Sequence, residues 1–326
     1  MGLTHFPHGI LATPNLGAGS GAYGPEPELF GGSTYYVDYE HGFDSNPGTI
    51  DEPVKQVNQA IALSNSERLA ESKLSATDGA LRRNRIFIKP FSTGASSTLY
   101  TGGTMGQYDP ISTIPQHCDI IGTGQGVRSN GAGIVAIGSS TTSTTAMTIG
   151  SDGMRGVNWY NIQFRGGGTT TATVTCTGTV MRCGFYGCSF YSLPSTTALI
   201  SATGHWAGNI MYRNLFAHNE TSPCATYCFY FTTGVFTDNW FEENTFAWGS
   251  TALVSIGATS LSHGTVFYHN FFVSNGGTTD SFIDASVDGG AFLAENYFAG
   301  ASTDALHRVV SNYDAGNIQG ATLITD

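Results

Sequence analysis

The sequence predicts an all-β chain wound as a parallel β-helix with about 26 residues per turn, and three observations predict it. Six segments end alike: Asn161-Ile162-Gln163-Phe164, Gly187-Cys188-Ser189-Phe190, Arg213-Asn214-Leu215-Phe216, Glu243-Asn244-Thr245-Phe246, His269-Asn270-Phe271-Phe272 and Glu295-Asn296-Tyr297-Phe298. Their terminal phenylalanines are 26, 26, 30, 26 and 26 positions apart, and a fixed period in this range marks a repeat architecture. The composition agrees. With 43 glycines and only 11% charged residues, it suits short strands joined by tight turns in which Gly supplies positive φ. Finally, the period shows neither 3.6-residue spacing nor leucine at fixed offsets, which excludes helical and leucine-rich repeats.

Bulk properties narrow the function. The 326 residues suffice for one elongated domain or two ordinary ones. Apolar residues at 40%, including 20 Phe, exclude a disordered chain. A net charge of −11 with three lysines, Lys55, Lys73 and Lys89, leaves no electrostatic footprint for nucleic acid. Met1-Gly2-Leu3-Thr4 opens no signal peptide, and no apolar window reaches the ~20 residues of a membrane span. Synthesis in a cytosol is expected. The cysteines Cys118, Cys176, Cys183, Cys188, Cys224 and Cys228 are expected to be reduced, buried, small hydrophobes. Cys183-x4-Cys188 and Cys224-x3-Cys228 lack the His/Cys partners of a zinc site, and Cys188 takes the slot that Asn holds in later repeats. Neither a metal nor a cofactor is expected.

In chain order, residues 1–32 read as an extended Gly/Pro-rich arm with a docking point at Phe6, Ile10 and Leu11. Residues 33–83 bring a strand at Tyr35-Tyr36-Val37-Asp38 and a turn-rich loop from Gly42 to Thr49. Asp44-x-Asn46-x-Gly48 within that loop lacks the later ligands of a calcium loop and reads as a structural turn. A helix over 51–74, capped by Asp51, presents Val54, Val57, Ala60 and Ile61 on one face. Its place is the open end of the stack, which exposes apolar interior and unpaired strand edges. Residues 84–326 form the β-helix proper. Each period carries two apolar runs, the first represented by Val174-Thr175-Cys176, Leu199-Ile200, Phe229-Tyr230-Phe231, Val254-Ser255-Ile256 and Phe282-Ile283. The 30-residue interval requires a four-residue bulge near Pro223-Cys224-Ala225-Thr226. The pattern extends to Val309-Val310 and to Ile324, which lies 26 residues beyond Phe298.

Stacking at about 4.8 Å turns equivalent residues into columns. Phe164, Phe190, Phe216, Phe246, Phe272 and Phe298 point inward and fill the lumen. Asn214, Asn244, Asn270 and Asn296, two positions earlier, share that face and form an amide ladder that fixes register. One position before each Asn runs an outward column: Arg213, Glu243, His269, Glu295. Glu243 and Glu295 would stand about 9.6 Å apart, around the upper end of the separation used in inverting glycoside hydrolysis. They are the catalytic candidates, with His269 between them. Asp238, Glu242 and Asp284 are the remaining carboxylates of interest. Against this stands a solvated charge ladder, which alternating signs on successive turns favour. Trp159, Tyr160, Trp206, Trp240 and Trp248 would line a sugar groove, pack internally or form an inter-subunit surface. No Gly-x-Ser-x-Gly elbow, His-Glu-x-x-His or Walker loop occurs, and Gly122-x-Gly124-x-Gly126 has no helix after it.

Two segments carry a resemblance. Tyr35-Tyr36-Val37-Asp38, with Gly42-x-Asp44-Ser45-Asn46-Pro47-Gly48-Thr49, Pro53 and the helix, resembles the opening segment of right-handed parallel β-helix proteins of pectate-lyase-like fold. Thr4-His5-Phe6-Pro7-His8-Gly9-Ile10 resembles the start of β-helix proteins of tailed bacteriophages that decorate the head. The resemblance implies a non-enzymatic virion protein, made in the host cytoplasm and placed on the capsid surface. It implies a homotrimer, bound to the major capsid protein or other head proteins through Thr4, His5, Phe6, Pro7, Ile10 and Leu11. Depolymerising tailspikes of this class usually carry a larger head-binding domain and a C-terminal trimerisation domain, and pectate lyases a calcium-binding acidic cluster. None of these is found here. A tailspike-like polysaccharide depolymerase or lyase, and a module that binds host surface glycan without turnover, remain the alternatives.

Overall fold

The computed structural model describes residues 31–72, 83–91, 108–124, 133–138, 145–166, 172–192, 197–218, 225–247, 249–257, 260–261, 264–273, 281–285, 291–299, 313–316, 318–319 and 322–323. The arm over 1–30, Leu99-Tyr100, Val309-Val310, Cys224, Trp248 and Ile324 lie outside the described residues.

The chain is a parallel β-helix. Each full turn visits four sheets in succession, of ten, nine, six and five strands. One such turn runs through Gly184–Tyr186 in the first sheet, Ser189–Ser192 in the second, Ala198–Ala202 in the third and Trp206–Ala207 in the fourth. The next strand, Ile210–Tyr212, lies parallel beside Gly184–Tyr186, with Phe185 opposite Met211. The residues form strands because each turn offers brief alternations of apolar and polar side chains between glycines, too short for a helix.

The six phenylalanines are in register across the second sheet. All are fully buried, and successive ring centroids lie 4.6 to 5.2 Å apart with nearly parallel planes. A second interior column on the first sheet holds Trp159, Phe185, Met211, Phe241, Phe267 and Leu293. Burying each such side chain contributes about 1.5–3 kcal/mol. Of the aromatics that the sequence leaves between groove, packing and inter-subunit surface, Trp159 and Trp206 belong to the core, with no side-chain surface exposed.

The extra residues of the long interval are not all in one place. The register offset is 26 between Phe190 and Phe216, 29 between Ala198 and Tyr227, and 30 between Trp206 and Phe236. Three residues are thus added before Ala225–Phe231 and one between it and Val235–Thr237. The far end also departs from the period. Tyr297 pairs with Ile318, an offset of 21 rather than 26, and Ile318–Gln319 then turns back as an antiparallel partner of Thr322–Leu323.

At the other end the helix α1 (Val57–Ser72) covers the first turn. It starts six residues later than Asp51, because Val54 is drawn into a bridge with Val37 and donates its N–H to the Tyr36 carbonyl. Asp44 caps it instead from across the loop, accepting the Gln56 N–H at 2.9 Å. Val57, Ala60, Ile61 and Ser64 face the core. Asn58 fastens α1 laterally: its oxygen accepts the N–H of Ser112 and Thr113, and its amide donates to the Pro110 carbonyl.

Candidate functional site

The outward column sits at the corner between the first and second sheets, and backbone geometry defines it. Asn161, Arg213, Glu243, His269 and Glu295 have φ of 55°, 56°, 52°, 53° and 53°, and Gly187 has 60°. A left-handed residue bends the chain sharply from one sheet to the next, at a cost to a non-glycine residue of about 1–2 kcal/mol. The next residue repays the strain. Each ladder Asn is buried. The oxygens of Asn244, Asn270 and Asn296 each accept the backbone N–H and side-chain N–H of the Asn one turn earlier, at 2.9–3.0 Å. The amides of Asn214, Asn244, Asn270 and Asn296 donate onward to the carbonyls of Phe185, Met211, Phe241 and Phe267. The ladder begins where Cys188 donates its N–H to Asn214.

A second ladder, not read from the sequence, stands five residues earlier, at the corner where the fourth sheet leads into the first. Asn209 and Asn239 repeat the same bonds, and Cys183 donates its N–H to Asn209. The signal was present, since the Asn pairs 209/214 and 239/244 and the Cys pair 183/188 share one spacing. All five described cysteines are free and buried. Burial pushes the thiols of Cys118, Cys176, Cys183 and Cys188 up to about 12. They stay protonated and unreactive at neutral pH.

The corner side chains pair in twos. Arg213 Nε donates to Glu243 Oε2 at 2.5 Å, and the guanidinium lies 5.0 Å from the Tyr212 ring centre. His269 Nε2 meets Glu295 Oε2, while its ring stacks on Tyr268 at 4.0 Å. The bond to Glu243 holds the Arg213 guanidinium above its ordinary range. Glu243 and Glu295 therefore share a column two turns apart, each already committed to a basic neighbour. Both pairs are exposed to solvent, which limits each to about 0–1 kcal/mol. Glu242, one position before the corner, is buried and accepts Trp240 Nε1–H at 3.0 Å. Asp238 occupies the other left-handed corner at φ 54° and accepts the Thr237 hydroxyl. Asp284 lies in the strand Ser281–Ala285 of the third sheet, away from this corner.

Two further charged groups flank the N-terminal turns. On the first sheet, Arg83 is buried against Asp119 at 2.6 Å and donates to the carbonyls of Gly156 and Cys118. Asn158 completes the set by donating to Asp119. Burial works against the Arg83 cation, but Asp119 keeps it above its ordinary range. Asp38, Glu40 and His41 bring three potential metal-ligand atoms together, the group with that geometry among the described residues. The Lys89 ammonium already lies 2.6 Å from Asp38, so the local cation is the protein's own. Burial would raise the Asp38 carboxyl, but hydrogen bonds from Lys89 and His41 hold it below the carboxylate range. Among the described residues no helix is long and apolar enough to cross a membrane.

No protein-family model matches the chain, and no curated protein matches it. Among solved structures, it is similar to a rhamnogalacturonan lyase, at a TM-score of 0.44 and 12% identity over 88% of this chain and 74% of that one. It is also similar to a GH136 lacto-N-biosidase from Eubacterium ramulus, at a TM-score of 0.34 and 9% identity over 90% of this chain and 68% of that one.

Proposed function

We propose that this chain is a non-enzymatic structural protein, a decoration or head-spike protein of a phage capsid whose β-helix is the rigid projecting body. The observation that carries the non-enzymatic reading is the corner column: Glu243 is bound by Arg213 and Glu295 by His269. An acid–base pair for glycoside hydrolysis needs one carboxyl kept protonated and one carboxylate kept available. Glu243 and Glu295 each already have a carboxylate oxygen held by a basic neighbour, Arg213 and His269, so neither carboxyl stands open to a substrate in this arrangement. The capsid assignment rests on the resemblance of Thr4-His5-Phe6-Pro7-His8-Gly9-Ile10 to phage head-decoration proteins. The partner is then the major capsid protein or another head protein, and the assembled form a homotrimer.

Deleting residues 1–24 is expected to abolish co-sedimentation with capsids while the circular dichroism and melting of the β-helix stay unchanged. Retained co-sedimentation would remove the anchor from the arm. A tailspike-like depolymerase or lyase is the second reading, kept by the placement of Glu243, His269 and Glu295 on consecutive turns of one corner. Incubation with host capsular polysaccharide distinguishes the two. New reducing or unsaturated ends, lost in Glu243→Gln or Glu295→Gln, would establish turnover.

A further inference from the structure

The outer face of the first sheet carries a cavity of about 380 Å³ at its N-terminal end, lined by Tyr36, Asp38, Ile50, Pro53, Phe87, Lys89 and Thr123, with Val37 at its base. We propose that this cavity binds a single neutral pyranose ring. The inference rests on residues other than those proposed for capsid binding and those of the Glu243/Glu295 corner, and it stands or falls independently of both readings.

Size comes first. The volume lies near the lower end of the roughly 300–1,000 Å³ range of small-molecule sites, enough for one sugar ring and its substituents. Shape and chemistry follow. Tyr36 and Phe87 are paired across adjacent strands and stack at 5.7 Å with planes 20° apart. They give the cavity an aromatic wall, which Pro53 and Ile50 extend. Ile50 is 68% exposed, whereas the other aliphatic side chains among the described residues are mostly interior. An apolar wall open to water suits a ligand with one C–H face and one hydroxylated edge, and a pyranose has both.

The polar edge decides between neutral and charged sugars. Asp38 is saturated: Oδ1 accepts the N–H of Glu40 and His41, and Oδ2 takes Lys89 Nζ and the His41 ring. It has no lone pair left for a ligand hydroxyl. Lys89 carries three N–H donors. One is given to Asp38; His41 Nδ1, 3.5 Å away, donates to Asp38 and so cannot accept from Lys89, which leaves N–H donors for a ligand oxygen. The Thr123 hydroxyl donates to the Ile88 carbonyl at 3.0 Å, which leaves its oxygen as an acceptor. One donor and one acceptor beside an aromatic wall match two neighbouring hydroxyls of a sugar, one accepting from Lys89 and one donating to Thr123. A carboxylate-bearing sugar fits worse. Asp38 already neutralises Lys89, Glu40 adds a negative charge nearby, and the whole chain carries −11.

Saturation-transfer NMR on the full-length chain tests this with the methyl glycosides of glucose, galactose and mannose at millimolar concentration, and galacturonate as the charged comparison. The expected result is transfer to the C–H protons of one ring face of at least one neutral glycoside. Thr123→Val should weaken binding about tenfold, the equivalent of one hydrogen bond, and Phe87→Leu should abolish the ring-face signal. Melting curves confirm that both variants are folded. If Phe87→Leu fails to fold, the surface change Thr123→Val decides alone. Absence of transfer to every neutral glycoside overturns the proposal, as does transfer unaffected by Thr123→Val. Stronger binding of galacturonate overturns the neutral assignment.

Discussion

At the scale of single residues, the fold is governed by what a buried amide needs. Each ladder Asn stabilises its turn because every polar atom finds a partner one turn away, whereas a buried amide without one costs several kcal/mol. Where the second ladder ends, this logic fails. Thr265 follows Asn239 by one 26-residue period and is fully buried, and its hydroxyl has no partner among the described residues. Thr265→Val, nearly isosteric, is expected to raise stability by about 1 kcal/mol by removing an unsatisfied polar group. Thr265→Asn should do at least as well by extending the ladder. Thermal unfolding of both variants checks this, and destabilisation by Val would mean that the hydroxyl has a water partner. The first ladder was legible in the sequence because Asn recurs two residues before Phe on four turns. The second has two Asn members, and Cys183 disguises its start. The left-handed corner was legible in principle from Asn161 and Gly187, residues that tolerate positive φ. Arg213, Glu243, His269 and Glu295 in the same column concealed it, because their side chains suggest chemistry rather than backbone geometry.

At the scale of elements, the helix and the strand it covers are fixed by long-range contacts that a local reading cannot see. Asp51, Glu52 and Pro53 form a good helix start locally. The bridge between Val37 and Val54 wins because it closes the first turn of the β-helix, and Asp44 supplies the cap from twelve positions away. Below α1, His117 occupies a left-handed corner at φ 49°, donates its N–H to the Arg155 carbonyl and packs against Gly156. Burial, together with Arg68 from α1, Arg83 from the first sheet and Arg155 from the fourth, lowers its pKa. The unfolded chain then binds a proton more readily than the folded one, so stability contributed by neutral His117 is complete above about pH 6.5 and lost as pH falls below it. Asp38 acts in the same direction at lower pH, because its depressed carboxyl stabilises the fold only while ionised. The melting temperature should therefore fall between pH 7 and pH 5, and His117→Asn, which also tolerates positive φ, should flatten that decline. An equal decline in the variant would place the acid sensitivity elsewhere.

At the scale of the whole molecule, a β-helix is a one-dimensional stack in which each turn contacts its neighbours and the two ends carry the unpaired edges. Helix α1 covers one end of the described stack. At the other, the shortened final turn and the antiparallel pair Ile318–Gln319 and Thr322–Leu323 interrupt the parallel register. A further copy cannot continue an interrupted ladder as readily as a regular one. The turn just before this closure needs that protection. Phe271 and Tyr297 are stacked at 5.0 Å on its outer surface, both well exposed, and Phe292 is exposed on the adjoining sheet. Truncation after residue 299 removes Tyr313–Ala315, the partner of Ala291–Ala294, and Ile318–Gln319, the partner of Tyr297–Ala299. It would leave two regular parallel edges beside exposed aromatic rings, the combination that promotes edge-to-edge pairing. The truncated chain should keep its β circular dichroism but form larger, concentration-dependent species in light scattering after size-exclusion chromatography. Lys substitutions at Phe271 and Tyr297 should reverse the effect, since charge on an edge opposes pairing. If the truncated chain shows no association beyond that of the full chain, the terminal pair has no protective role, and the register of the last turns alone keeps the stack from growing.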